Sequence, residues 1–111
     1  MSRMAGTLTK FTPQEIKQLY QDAYALTRTI YFVLLVAPAT KGYGRMLLVA
    51  PKRIGSAPER NKLKRQFRSI FYEEKLYKRG YDCVVIFKNR ASEADFETLK
   101  SILLEAFKKL D

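Results

Sequence analysis

The run Glu59-Arg60-Asn61-Lys62-Leu63-Lys64-Arg65-Gln66-Phe67-Arg68 constrains the fold more than any other part of the chain. Wound as an α-helix at about 100° per residue, it gathers Leu63, Phe67, Ile70 and Phe71 on one face and Arg60, Asn61, Lys64, Arg65 and Arg68 on the neighbouring face. The first face has to be buried, so the rest of the chain must supply a core for it. The second offers a rigid row of cations. Fixed positive charge suits a phosphate backbone, because each contact releases condensed counterions.

A helix face rich in Lys and Arg is ordinarily a solvated one, and such faces mix signs to gain i,i+4 pairs. Here Lys52 to Arg68 holds seven cations and one acid, Glu59. That imbalance favours a nucleic-acid surface. Arg60, Arg65 and Arg68 add a bidentate phosphate geometry that lysine lacks. Asn61 suits either a bridge to a backbone or sugar hydroxyl, or a local cap. Lys52 and Arg53 follow a strand and precede the Gly55 loop, which would project them beside the helix start.

The length of 111 residues suits one domain spanning 1–111, with residues 1–7 expected to be flexible. Seven Phe and seven Tyr provide core material, and a net charge of +10 points to a polyanionic partner. No stretch approaches the ~18 consecutive apolar residues of a membrane helix, and the start lacks a signal-peptide core. A cytoplasmic protein with no membrane partner is therefore expected. Cys83 is the sole cysteine, which rules out an internal disulfide or a cysteine metal cluster and reads as a small core residue. Histidine is absent, removing the usual acid–base residue and zinc ligand. Glu15, Glu93 and Asp95 read as capping residues and Asp22 and Asp82 as isolated, leaving no carboxylate set for two-metal chemistry. A hydrolase that works with protein groups alone is disfavoured, and no cofactor or metal is expected on the chain itself.

Along the chain, Thr12-Pro13-Gln14-Glu15 is a capping box that predicts a helix to about Tyr24. Tyr31–Val36 and Arg45–Ala50 read as strands, with a turn region at 37–44 and Pro51 as a terminator. Residues 52–58 read as a loop, the basic helix runs from Pro58 to about Tyr77, and Cys83–Phe87 is a buried strand. Ser92 to Asp95 reads as a second capping box. After it, Phe96, Leu99, Leu103, Ala106, Phe107 and Leu110 form the stripe of a last helix. The order helix, two or three strands, helix, strand, helix gives one α+β domain with a small sheet. The segment from the second strand to Cys83–Phe87 is a candidate β-α-β crossover, with the strand directions left open. Tyr20, Tyr24, Tyr31 and Tyr43 suit either partial burial or stacking on unpaired bases.

The signature Arg60-Asn61-x-x-Lys64-Arg65-x-x-Arg68, with its lead-in Pro51-Lys52-Arg53-Ile54-Gly55-Ser56-Ala57, resembles that of the bacterial ribonuclease P protein subunit. The resemblance runs from about Leu8 to Leu110. It implies an α-β-β-β-α-β-α sandwich with a small central sheet and a left-handed β-α-β crossover. It also implies an accessory subunit of a ribonucleoprotein endoribonuclease that removes the 5′ leader of precursor tRNA. Catalysis would reside in the RNA, which requires magnesium, and the chain would be a monomer in a 1:1 holoenzyme with that RNA. Lys52, Arg53, Arg60, Asn61, Lys64, Arg65 and Arg68 would face the catalytic RNA. Ile16, Tyr20, Tyr31, Val33 and Leu35 would line a cleft for the leader, with Ile16 and Leu35 aliphatic where rings are common in the family. From the residues alone, a ribosomal or assembly RNA-binding module shares the basic face. A DNA-reading helix suits the Pro58-Glu59 entry poorly.

Overall fold

Thr12 stops the chain from drifting into the first helix without a cap: its hydroxyl accepts from Glu15 N at 3.2 Å, while Glu15 Oε1 accepts from Thr12 N at 2.8 Å. Helix α1 then runs Pro13–Asp22. This computed structural model describes residues 6–110; the expected flexibility of residues 1–7 falls, for its first five positions, outside the described residues. Element bounds differ from the sequence expectation at the first helix, the basic helix and each expected strand. Helix α1 ends two residues before Tyr24, because Ala23 is already extended and Tyr24 opens strand β1, Tyr24–Arg28. Strand β2 is Phe32–Pro38, β3 is Met46–Val49 and β4 is Tyr81–Phe87. The basic helix, α2, spans Ala57–Glu73 rather than reaching Tyr77: Lys75 adopts φ 55°, and a 3-10 turn follows at Leu76–Arg79.

The capping box expected at Ser92 shifts as well. Ser92 lies inside a 3-10 turn, Asn89–Glu93, and Glu93 pairs with Arg90 at 3.1 Å. Asp95 itself is the N-cap of helix α3, Phe96–Phe107, accepting from Thr98 N at 2.8 Å. A lone carboxylate is a sufficient cap, because it meets an orphan N–H and the positive end of the helix dipole together.

The sheet order is β1-β2-β4-β3, antiparallel except for the parallel pair β3 and β4. The unit β3–α2–β4 is therefore a crossover connecting two parallel strands. Alternation along the strands divides the sheet into two faces. Phe32, Leu34 and Val36 of β2, with Cys83, Val85 and Phe87 of β4, meet α2 and α3 in the main core. Phe67 of α2 lies edge-on to Phe32 and Phe87, with ring centroids 5.2 and 4.9 Å away. On the opposite face α1 covers only part of the sheet, where Leu19, Ala37 and Val84 are buried together. Where β3 begins, Gly44 N donates to Tyr77 O at 2.7 Å, and a Cβ at Gly44 would come within 2.1 Å of Tyr81 O. Only glycine allows that approach.

Asp82 is not isolated. Its Oδ1 accepts from Arg45 N at 2.8 Å, and its Oδ2 lies 3.8 Å from the Arg45 guanidinium. Arg45, only 3% exposed, also reaches Glu15 at 3.1 Å, donates to Lys10 O at 3.0 Å and covers the Phe11 ring at 4.3 Å. This buried guanidinium ties α1 to the sheet, 30 residues away in sequence from Glu15. Burial pushes the Asp82 carboxyl above its ordinary value, while the Thr12 backbone N–H and then Arg45 hold Glu15 down to about 2.

Two outcomes follow. Phe67→Ala is expected to cost roughly 3–5 kcal/mol, read by denaturant unfolding, since it removes a ring wedged between two others. Glu15 has a lower pKa folded than unfolded, so its stabilisation is full above about pH 4.5 and is lost as pH falls toward 2. Glu15→Gln should therefore show a shallower loss of melting temperature over that window than the native chain; coincident acid limbs would refute the pairing.

Candidate nucleic-acid interface

Helix α2 is fixed at its start by a cap that sequence reading passed over in favour of Pro58. Ser56 Oγ accepts from Glu59 N at 3.3 Å, and Glu59 Oε1 accepts from Ser56 N at 2.9 Å. The signal was present as Ser-x-x-Glu. These bonds, from the Ser56 backbone first and its hydroxyl second, lower the Glu59 carboxyl below its ordinary value. Gly55 makes room for them, since a Cβ there would lie 2.9 Å from Glu59 Oε1. The only acid among the cations is thus engaged at the helix start, where it complements the dipole.

Past the cap, helical spacing sorts the cations into rows. Arg60, Lys64 and Arg68 stand four residues apart, about 6 Å per step along the axis, and all three are half-buried. Asn61 and Arg65 form the adjoining row and are exposed. Lys52 and Arg53 are exposed on a 3-10 turn, Lys52–Ile54, anchored by the buried Ile54 and packed near the start of α2. The structure therefore brings all seven residues to α2 and the turn that leads into it.

Among the described residues, none of the six cations in this set pairs with a carboxylate. The ion pairs among the described residues lie elsewhere, on Lys41, Arg45, Arg90, Lys100 and Lys108. The Nε atoms of Arg60 and Arg68, like that of the structural Arg45, are buried without a hydrogen-bond partner among the described residues. A buried donor left open costs free energy until something accepts from it. The arrangement is a half-buried to exposed cationic row without carboxylate partners among the described residues.

The cleft residues divide. Val33 is 9% exposed and Leu35 half-buried on the sheet face that α1 partly covers. Ile16 is half-buried and Tyr20 is 44% exposed; they lie on the flank of α1 opposite Glu15, Gln18 and Asp22. Tyr31 does not join them. It precedes β2, held in a bend where Thr29 Oγ1 accepts from Tyr31 N and Phe32 N, each at 3.1 Å, and it packs against the main core on the other side. Strand alternation does not extend into that bend. Sequence reading missed Leu47, Val49 and Ile86, which are partly buried on the cleft face. Their period of two along β3 and β4 was the available signal. Of the four tyrosines weighed for stacking, Tyr43 packs on the main core and Tyr24 pairs with Val36, so Tyr20 is the one on the cleft side.

A mixed α+β fold carrying an unpaired cationic helix beside a half-covered sheet face defines an RNA-binding class of protein. The family model for ribonuclease P matches residues 11–111. The ribonuclease P protein component of Thermotoga maritima is 37% identical over 86 residues, which is 73% of this chain and 74% of the relative. The solved ribonuclease P protein of that organism superposes with a TM-score of 0.78 at 29% identity, covering 93% of this chain and 97% of that one. The Staphylococcus aureus ribonuclease P protein, at 20% identity and TM-score 0.79 over 91% and 93% of the two chains, shares the fold. The chain belongs to the ribonuclease P protein family and so to the protein component of an endoribonuclease complex.

Arg65→Ala is expected to weaken RNA binding and reduce its salt slope by roughly one counterion, while changing stability by no more than ~0.5 kcal/mol. Arg68→Ala should add a measurable stability loss, because its stem is half-buried. Parallel salt titrations and thermal melts of the two variants separate these effects.

Proposed function

We propose that this chain holds the catalytic RNA of ribonuclease P through Lys52, Arg53, Arg60, Asn61, Lys64, Arg65 and Arg68. In the same reading it receives the single-stranded 5′ leader of precursor tRNA in the cleft beside α1. The observation that carries the first part is the cationic row with no carboxylate partner among the described residues. Phosphate oxygens supply both the charge and the acceptors that row lacks. The half-covered sheet face supports the second part, because an apolar floor beside Tyr20 suits bases rather than a folded duplex.

Hydrolysis in this reading belongs to the RNA, and magnesium ions held there supply the activated water and stabilise the leaving oxygen. The chain contributes position. It fixes the RNA against α2 and keeps the leader aligned with the cleavage point, as one protein per RNA. Among the described residues no group of three or more Cys, Asp or Glu is placed to hold a metal ion, and no helix is long and apolar enough to cross a membrane. In this reading the chain works on precursor tRNA in the cytoplasm.

The test is a processing assay that combines the chain, catalytic RNA and precursor tRNA at limiting magnesium. Addition of the chain is expected to raise cleavage at least tenfold, by about 1.4 kcal/mol or more of added stabilisation. Equal cleavage with and without the chain would overturn the proposal.

A further inference from the structure

Strand pairing lays one row straight across the sheet: Arg28 of β1 beside Val33 of β2, Val33 beside Ile86 of β4, and Ile86 beside Val49 of β3. Paired residues share a face, and Val33 alternates with Phe32 and Leu34, which enter the main core. Arg28 therefore lies on the cleft face, at the free edge of β1. It is exposed, and its guanidinium makes no hydrogen bond or ion pair with any described residue. Beyond the other end of the row, β3 runs through Ala50 and Pro51 into Lys52 and Arg53. The apolar floor thus carries Arg28 at its β1 edge, while Lys52 and Arg53 lie past the C-terminal end of β3 on the 3-10 turn beside α2. Neighbouring strands are about 4.8 Å apart, so the β1 and β3 edges stand about 14 Å from one another.

We propose that Arg28 is a phosphate-binding residue of the cleft and that it holds the leader's backbone at the β1 rim. This rests on the leader reading above. The floor beside that rim is Val33, Ile86 and Val49, with Leu35, Val84 and Leu47 in the next row. Aliphatic side chains give bases a surface without the ring stacking that fixes a single base in place. Orientation then has to come from the phosphates. A guanidinium on an open edge, free of any carboxylate, is suited to bind one of them bidentately.

The experiment measures the affinity of the assembled RNA–protein enzyme for precursor tRNA with a long leader and for mature tRNA. The native chain and Arg28→Ala, Arg28→Glu and Arg28→Lys variants are compared. For the long leader, Arg28→Ala is expected to weaken binding about fivefold and to lower the salt slope by roughly 0.7, the value for one single-strand phosphate. Arg28→Glu should weaken it further, Arg28→Lys should recover part of the loss, and mature tRNA should bind all four alike. A leader carrying a neutral methylphosphonate at the contacted position should bind the native chain as weakly as Arg28→Ala binds the normal leader, with no added loss when the two changes are combined. If the native enzyme prefers the long leader and Arg28→Ala keeps that preference in full, the Arg28 assignment fails alone. If the native enzyme shows no preference for a leader, the leader reading fails and takes this assignment with it.

Discussion

The edge-on contact of Phe67 with Phe32 and Phe87 fixes everything that α2 carries. Those rings belong to the first residue of β2 and the last of β4, so the contact joins the helix to the middle of the sheet. The parallel pairing of β3 with β4 sets the crossover's two ends. A helix held at its centre and both ends cannot roll. Arg60, Lys64 and Arg68 consequently keep one heading relative to β3, and the turn bearing Lys52 and Arg53 lies at the same border. Preorganised charge of this kind gives affinity without the entropy cost of gathering flexible side chains.

Arg45 plays the matching part on the other face. It sits beneath the start of α1, joined to Glu15, Asp82, Lys10 and Phe11. Together with Leu19 and Ala23, it seats the helix toward one side of the sheet and leaves Leu47, Val49 and Ile86 only partly covered. Breaking a buried charge network by removing one partner is costly, so α1 is difficult to slide across that open strip. The cleft is a consequence of where a single guanidinium is anchored.

How far these features could be read from sequence depended on the range of the interaction. The stripes Leu63–Phe67–Ile70–Phe71 and Leu99–Leu103–Ala106–Phe107 are local patterns and marked their helices directly. The Thr12 cap is equally local. Strand β1 was given no bounds, only the allowance for a third strand, because an irregularity between Ala25 and Thr27 breaks its alternation at an exposed edge. The tie between Arg45 and Asp82 spans 37 residues and leaves no spacing signature. The cationic row could be placed on one helix face from spacing alone, whereas the unmet Nε atoms of Arg60 and Arg68 emerge only with packing. For the cleft, Val33 and Leu35 followed from alternation along one strand. The shared faces of Leu47 with Val49 and of Val84 with Ile86 showed as a period of two, but placing them beside Val33 and Leu35 required the strand order, and Tyr31 was misplaced because the bend at Thr29 interrupts the pattern.

The crowding of like charge on α2, with Glu59 drawn off to Ser56, has a consequence for the chain alone. Mutual repulsion loosens such a fold, and any multivalent anion that settles on the row relieves it. Sulfate, pyrophosphate or heparin should then act as surrogate ligands that lift the midpoint of unfolding by mass action. Apparent robustness becomes a property of the buffer as much as of the polypeptide.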